Sequence, residues 1–534
     1  MTTDLTGANW WREGVIYHIY PRSFADADGD GVGDLLGILE HLDHLNDGSD
    51  RSLGIDAIWL SPIYPSPMAD FGYDVADYCD IDPVFGDLAT FDRLVRACHG
   101  RGVRVVLDLV LNHTSDRHPW FRESRASRAS ARRAWYHWRD PAPGGGPPNG
   151  WTSVFGGSAW TLDAATGQYY LHSFLPEQPD LNWAHPEVVA AIGEVLRFWV
   201  RRGVDGFRVD AVQQLAKPVE SDPGASSAAL IGEGRIDPRI MDHLRIVRRV
   251  LDEFHGRIAI AEAYVPPEEA ATLYGTPALE GAAAGVHLAF LFAFIRLVAD
   301  GPYTPWEAPA IADLLERVEQ SLPAGALPCY ALSNHDVPRL RSRHDADDLG
   351  LERARAAALL LLGVRGVPCL YYGEEIGMPD VPIPPAHQRD PVGRDSSRTP
   401  MQWDRAPGRG FTNAVPWLPF GPLDVDVASQ RGDDRSLLSL YRRAIFIRKR
   451  EPALRRGEMT IERRGEAVLA LRRSAQDARP VLVVVNTARA PSRVPLGREF
   501  EHILLASHES AALDGPPGSR ELVLPALAAA WLVP

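Results

Sequence analysis

The sequence predicts an α/β protein: a (β/α)8 TIM barrel with a subdomain inserted after strand 3 and a C-terminal antiparallel β domain. Three observations predict it. Eight short apolar runs alternate with amphipathic helical segments. One aromatic, Gly/Pro-rich stretch interrupts that alternation. Beyond Pro452 the pattern turns to strands alone.

The eight runs are "VIYHIY", "IDAIWLSP", "VRVVLDLV", "GVDGFRVDA", "RIAIAEAY", "VHLAFLF", "CYALSNHD" and "VPCLYYGEE". Their near-continuous apolar character is that of parallel strands covered on both faces. Between them, "PEVVAAIGEVLRFWVRRG" opens at Pro186 and closes at Gly203, the punctuation of a helix. In "DPRIMDHLRIVRRVLDEFHG", Ile240, Leu244, Val247 and Leu251 recur at helical spacing. The stretch from Leu109 to Glu177, with "RDPAPGGGPPNGW", is too long for a simple loop and reads as the inserted subdomain. A second, shorter loop is "ESDPGASSAALIGEG". The C-terminal runs "MTIERRG", "AVLALRR", "PVLVVVN", "RVPL", "HILLAS" and "ELVLP" read as antiparallel strands. The expected organisation is residues 1–108 and 178–452 for the barrel, 109–177 for the insertion and 453–534 for a β-sandwich.

A chain of 534 residues exceeds one compact core, so several domains are expected. The net charge of −14 excludes a general nucleic-acid binder and offers anionic membranes no basic patch. Cys79, Cys98, Cys329 and Cys369 lack metal-ligand spacing and read as free thiols of a reducing compartment. The N-terminus shows no basic start followed by an apolar run, and no run is long enough to span a bilayer. A cytoplasmic protein is the expectation.

In a β/α barrel, chemistry sits at the C-terminal ends of the strands. The third strand ends in Asp108, Asn112 and His113, the fourth in Arg208 and Asp210, the fifth in Glu262, and the seventh in Asn334, His335 and Asp336. A lone carboxylate there is ordinarily a cap or half of an ion pair. Four from four strands, in one register, converge on one mouth. Charges that close to a core are costly unless paired or used.

These segments resemble the conserved regions of the α-amylase family of glycoside hydrolases, family 13. "QPDLNW", "GVPCLYYGEEIG" and "RTPMQWD" resemble its α-glucosidase and oligo-1,6-glucosidase branch. The resemblance runs from Trp11 to about Arg450 and more weakly to the end. It implies Asp210 as nucleophile, Glu262 as general acid/base and Asp336 as a third carboxylate on the sugar hydroxyls. Arg208 would keep Asp210 ionised, and His113 and His335 would bind hydroxyls. "FGYDVADY" supplies Tyr73 as a stacking platform. By the same resemblance, Asp74 and Arg398 would pin the outer hydroxyls of a terminal glucose, and Phe174 would add a wall.

The substrates implied are small α-glucosides, cleaved from their ends with retention of configuration and some transglucosylation. Ala211, beside the nucleophile, points to α-1,4 linkages, because relatives that cleave α-1,6 bonds usually carry Val there. "QPDLN" pulls toward α-1,6. A trehalose-synthase- or sucrose-isomerase-type transglucosidase on the same scaffold is the alternative. A non-catalytic transporter heavy chain is set aside, because all three catalytic carboxylates are present.

The loop "DADGDGVGD" places Asp26, Asp28, Asp30 and Asp34 at positions 1, 3, 5 and 9, with the Val32 carbonyl at 7. That resembles an EF-hand ligand order, except that position 12 is Gly37 and not Glu. Similar loops in oligo-1,6-glucosidases hold a structural calcium or magnesium. No organic cofactor is expected.

Overall fold

The computed structural model describes residues 9–217, 234–275, 285–292, 294–298, 304–345, 347–463 and 465–534. The loop expected at 220–234 lies outside these, apart from Gly234. The barrel strands are β1 (Ile16–Ile19), β2 (Ala57–Leu60), β3 (Arg104–Leu109), β4 (Gly206–Val209), β5 (Ile258–Ala263), β6 (Leu288–Leu291), β7 (Pro328–Ala331) and β8 (Val367–Tyr371). Each pairs in parallel with the next, and β8 closes on β1. Seven lie within the runs expected from the sequence, and β7 starts one residue before its run, at Pro328.

Alternation along the strands divides the core in two. Ile16, Trp59, Val106, Ile260, Phe290, Cys329 and Cys369 point inward and fill the barrel. Tyr17, Ile58, Val105, Phe207 and Ala259 point outward, into one continuous cluster with the surrounding helices. This is why the strands read as unbroken apolar runs. The helix Pro186–Arg201 begins at a proline, with His185 accepting from the Glu187 N–H, and buries Val188, Ile192, Val195, Leu196 and Trp199. It stops at Gly203, whose φ of +100° a side chain would strain.

The insertion holds a helix, Pro119–Ala126, and a three-stranded antiparallel sheet with Gln168–Leu171 between Trp138–Arg139 and Trp160–Asp163. Trp151, Trp160 and Tyr169 give it a small core of its own. The C-terminal domain has a five-stranded and a three-stranded antiparallel sheet. Val468, Leu482 and Val484 of one meet Val494, Leu522 and Leu524 of the other in a shared core. Two of its strands, Ala512–Asp514 and Ala529–Val533, were not expected from the sequence. The first is very short, and the second is buried at every position and so shows no alternation.

The helix Gly350–Gly363 lies between barrel and C-terminal domain and is buried around most of its circumference. Trp531 Nε1 donates to its Leu359 carbonyl at 3.1 Å, and Arg473 Nη1 to its Gly363 carbonyl at 2.6 Å. All four cysteines are free thiols, with only Cys79 partly exposed. Among the described residues, no helix is long and apolar enough to cross a membrane.

Candidate active site

Barrel register builds the site. Asp108 of β3 stands beside Arg208 of β4, and Val209 of β4 beside Ala261 of β5, so Asp210 and Glu262 come next at the strand ends. The two-residue period turns Arg208 and Asp210 to the same inner face. Arg208 Nη1 donates to Asp108 Oδ1 at 2.7 Å and to Asp210 Oδ1 at 2.5 Å. Its Nη2 pairs with Glu262 Oε1. One buried guanidinium therefore holds three carboxylates, and it stacks 5.1 Å from the Trp59 ring centroid. The charges within the "GFRVD" strand are paired, as their burial requires.

Asp210 and Glu262 sit on the wall of a cavity of about 430 Å3, a size typical of small-molecule sites. Tyr73, His113, Phe174, Ala211, His335 and Asp336 line the same cavity. Burial pushes the Glu262 carboxyl up to about 8 and the Asp210 carboxyl up to about 7, against the opposing pull of Arg208. Asp108 behind them rises to about 6 for the same reason. Carboxyls raised this far can carry a proton near neutral pH, which acid catalysis needs. Burial also holds His113 down to about 4 and His335 well below its ordinary value, so both are neutral hydrogen-bonding groups.

The surrounding bonds fix these groups. Ala211 takes the left-handed conformation, φ +41° and ψ +48°, and its N–H donates to Glu262 Oε2 at 2.9 Å. Tyr73 OH donates to Asp108 Oδ2 at 2.9 Å and lies 2.7 Å from His335 Nε2. The Tyr73 and His335 rings stack at 5.3 Å. The His113 and Phe174 rings lie 5.3 Å apart at a tilt.

The pair expected to hold the outer hydroxyls is corrected. Asp74 is fully buried away from the cavity. Its carboxylate accepts from Ser66 OH at 2.8 Å and from the N–H groups of Ala69 and Asp70 at 2.9 Å each. Asp74 therefore ties together its own turn, in which Met68, Phe71 and Gly72 all have positive φ. Arg398 lies beneath the site and donates to the His335 carbonyl at 2.7 Å and to Asp336 Oδ1 at 3.3 Å.

The ion pair that lines the cavity is Asp70 with Arg394, at 2.5 Å. Arg394 also bonds Asp336 Oδ1 at 3.1 Å and Asp390 Oδ1 at 2.6 Å. Gln178 Nε2, from "QPDLNW", holds Asp70 Oδ2 at 3.0 Å and lies 3.0 Å from His113 Nε2. Both members stand four residues before the expected ones. A second acidic residue in "DFGYD" and a second basic one in "GRDSSR" were the available signals.

In the acidic loop, Asp26, Asp28 and Asp34 bring carboxylate oxygens within 4.8 Å of one another. Asp30 stands outside that group, and its Oδ1 accepts from the Val32 N–H at 2.7 Å. Asp34 is also the N-cap of helix Leu35–Glu40, accepting from Gly37 N–H at 2.7 Å. Of the four aspartates expected as ligands, three therefore converge.

The chain was compared with known proteins. The model of the α-amylase catalytic domain matches residues 18–457. A probable α-glucosidase of Rhizobium meliloti (strain 1021) is 40% identical over 526 residues, covering 92% of each chain. An oligo-1,6-glucosidase of Parageobacillus thermoglucosidasius is 35% identical, covering 94% of each. The crystal structure of the α-glucosyl transfer enzyme XgtA superposes with a TM-score of 0.87 at 38% identity, covering 98% of this chain and 99% of that one. With its eight-stranded barrel, its arginine-bridged carboxylates and a catalytic-domain match across most of its length, the chain belongs to the α-amylase family of glycoside hydrolases.

Proposed function

We propose that the protein is an exo-acting, retaining α-glucosidase that releases glucose from the ends of short α-glucosides. The observation that carries this is Arg208, which bonds Asp210 through one nitrogen and Glu262 through the other at the base of a single cavity. Carboxylates bridged by one guanidinium stand close together, which suits direct attack by one and proton donation by the other. Glu262 gives its proton to the glycosidic oxygen as Asp210 attacks the anomeric carbon. A glucosyl ester forms on Asp210. Glu262, now a carboxylate, takes a proton from the incoming water, and the second displacement restores the α-configuration. Asp70, Arg394 and Asp336 supply charged partners for the hydroxyls of a terminal glucose. Proton NMR of methyl α-glucoside turnover, in which the attacked sugar is the only glucose released, should show α-glucose first; initial β-glucose would overturn the mechanism.

A preference for α-1,4 over α-1,6 linkage rests on Ala211, which lines the cavity next to the nucleophile. A β-branched residue there would crowd the departing sugar and strain the left-handed backbone. One or two methyl groups in a pocket are worth about 1–3 kcal/mol, a preference and not an exclusion. Maltose should show the higher kcat/KM, and Ala211→Val should shift the maltose-to-isomaltose ratio toward isomaltose. The ratio is the measurement to read, because the variant also disturbs the N–H that holds Glu262. An isomaltose preference in the wild type would refute the reading of Ala211.

The acidic loop is proposed to hold one structural calcium or magnesium through Asp26, Asp28 and Asp34. Three converging carboxylates fit a hard cation and repel one another without one. The loop carries no group near the reacting bond, so the cation would act on stability. Chelator should lower the melting temperature by several degrees, and calcium should restore it. Identical melting curves in chelator and calcium would dismiss the site.

A further inference from the structure

The inner half of the cavity carries the charged groups, and the outer half differs from it. Val154 and Val392 are 39% and 37% exposed, two of the few large apolar side chains left open to solvent, and both line the cavity mouth. Phe155, Val337 and the ring of Tyr264 continue that lining. Tyr264 stacks on Phe292 at 4.4 Å and accepts from Asn334 Nδ2 at 3.1 Å, so its ring is held as a rigid wall and its hydroxyl is engaged. The polar side chain beside it, Gln213, uses its Oε1 to accept from the Tyr264 N–H at 2.9 Å.

Among the described residues, the charged group that reaches this outer lining is Arg394, whose guanidinium lies 5.4 Å from the Phe155 ring centroid and is already paired with Asp70, Asp336 and Asp390. A sugar bound there would find few partners for its hydroxyls and would leave polar groups against apolar walls, which is costly. An apolar ring would bury its own surface and that of two exposed valines.

We propose that the leaving-group and acceptor position of this site is built for aryl and alicyclic alcohols, so that the enzyme transfers glucose to an apolar alcohol in preference to another sugar. This rests on the α-glucosidase reading and specifies its second substrate. Asp210 displaces the first leaving group from the anomeric carbon. The acceptor O–H then attacks that carbon, its proton passes to the Glu262 carboxylate, and the bond to Asp210 breaks. An α-glucoside of the alcohol forms, and the enzyme returns to its starting state.

The test uses α-glucosyl fluoride as donor with benzyl alcohol and methyl α-glucoside as competing acceptors at equal concentration. Both acceptors are alcohols, and both intercept the same glucosyl-enzyme, so their product ratio reports the outer half alone. Fluoride release independently reports glucosyl-enzyme formation. Benzyl α-glucoside should exceed the disaccharide product by about tenfold, and Val154→Ser and Val392→Ser should each lower that ratio severalfold. Val154→Ala and Val392→Ala should lower it less. Fluoride release with the sugar acceptor favoured overturns the proposal and leaves the glucosidase reading standing. No fluoride release overturns both. A benzyl preference unchanged in all four variants overturns the placement of the acceptor.

Discussion

Asp210→Asn should fold normally and hydrolyse maltose on the order of 10⁴-fold more slowly than the wild type. Glu262→Gln should match that loss on maltose, yet keep much of its rate of glucosyl-enzyme formation with α-glucosyl fluoride, whose leaving group needs no proton. The two losses should not add, because both groups serve one displacement. Wild-type kcat/KM should trace a bell, failing at low pH as Asp210 gains a proton and at high pH as Glu262 loses one. Burial raises both groups, so the acid limb should stand above the ordinary carboxylate range of about 4. The limbs belong to the coupled pair.

The same shifts bear on stability, and their sign is fixed. A carboxyl whose pKa is raised on folding binds more protons folded than unfolded, so its contribution falls as pH rises from its ordinary value through its raised one. For Asp210, raised to about 7, and Glu262, raised to about 8, that window runs from the ordinary carboxylate range to about 8. Each neutral variant should therefore melt at or above the wild-type temperature at pH 8. Calorimetry checks this, and a variant that is both unfolded and inactive would say nothing for catalysis.

Arg394→Ala should lower kcat/KM for maltose by about 30- to 5,000-fold, the equivalent of about 2–5 kcal/mol, as for a buried charge stripped of its partner. Burial already raises the Asp70 carboxyl, and Arg394 is the largest influence opposing it. Without the guanidinium the Asp70 carboxyl is pushed further up and its charge is held less firmly. Arg394→Lys should not rescue, because one ammonium cannot reach Asp70, Asp336 and Asp390 through separate nitrogens. Deoxy substrates locate the loss. The wild type should discriminate strongly against 4-deoxy- and 6-deoxyglucosides, and Arg394→Ala should barely discriminate. Equal penalties in both proteins would place the pair outside the glucose contacts.

The barrel could be read in the sequence because its strands are buried on both faces and bounded by clear helical stretches. Asp108, Asp210 and Glu262 could be read because each stands at the end of such a strand, where period and register decide direction, whereas Asp336 lies in the turn beyond β7 and was legible through the "NHD" motif. Asp74 and Arg398 misled because both lie in irregular chain, where direction follows from backbone turns and not from spacing. Asp74 faces its own loop through three positive-φ residues nearby. Arg398 is drawn under the site by the His335 carbonyl. The outer wall left no sequence signal either: Val154, Tyr264 and Val392 come from three separate loops that only the fold assembles. In the acidic loop, spacing placed four carboxylates in one ligand order, and the fold brings three of them, Asp26, Asp28 and Asp34, together.

The helix Gly350–Gly363 ties the two ends of the molecule into one cooperative unit. A helix apolar around most of its surface has no face to offer water, and here the C-terminal domain supplies part of its cover through Trp531 and Val483. Barrel and C-terminal domain are therefore expected to melt in a single transition, with matching calorimetric and van 't Hoff enthalpies. A chain cut at residue 457 would leave Leu359 and Gly363 bare and should aggregate. The small domain, remote from the sugar, thus works as a folding partner carried in cis.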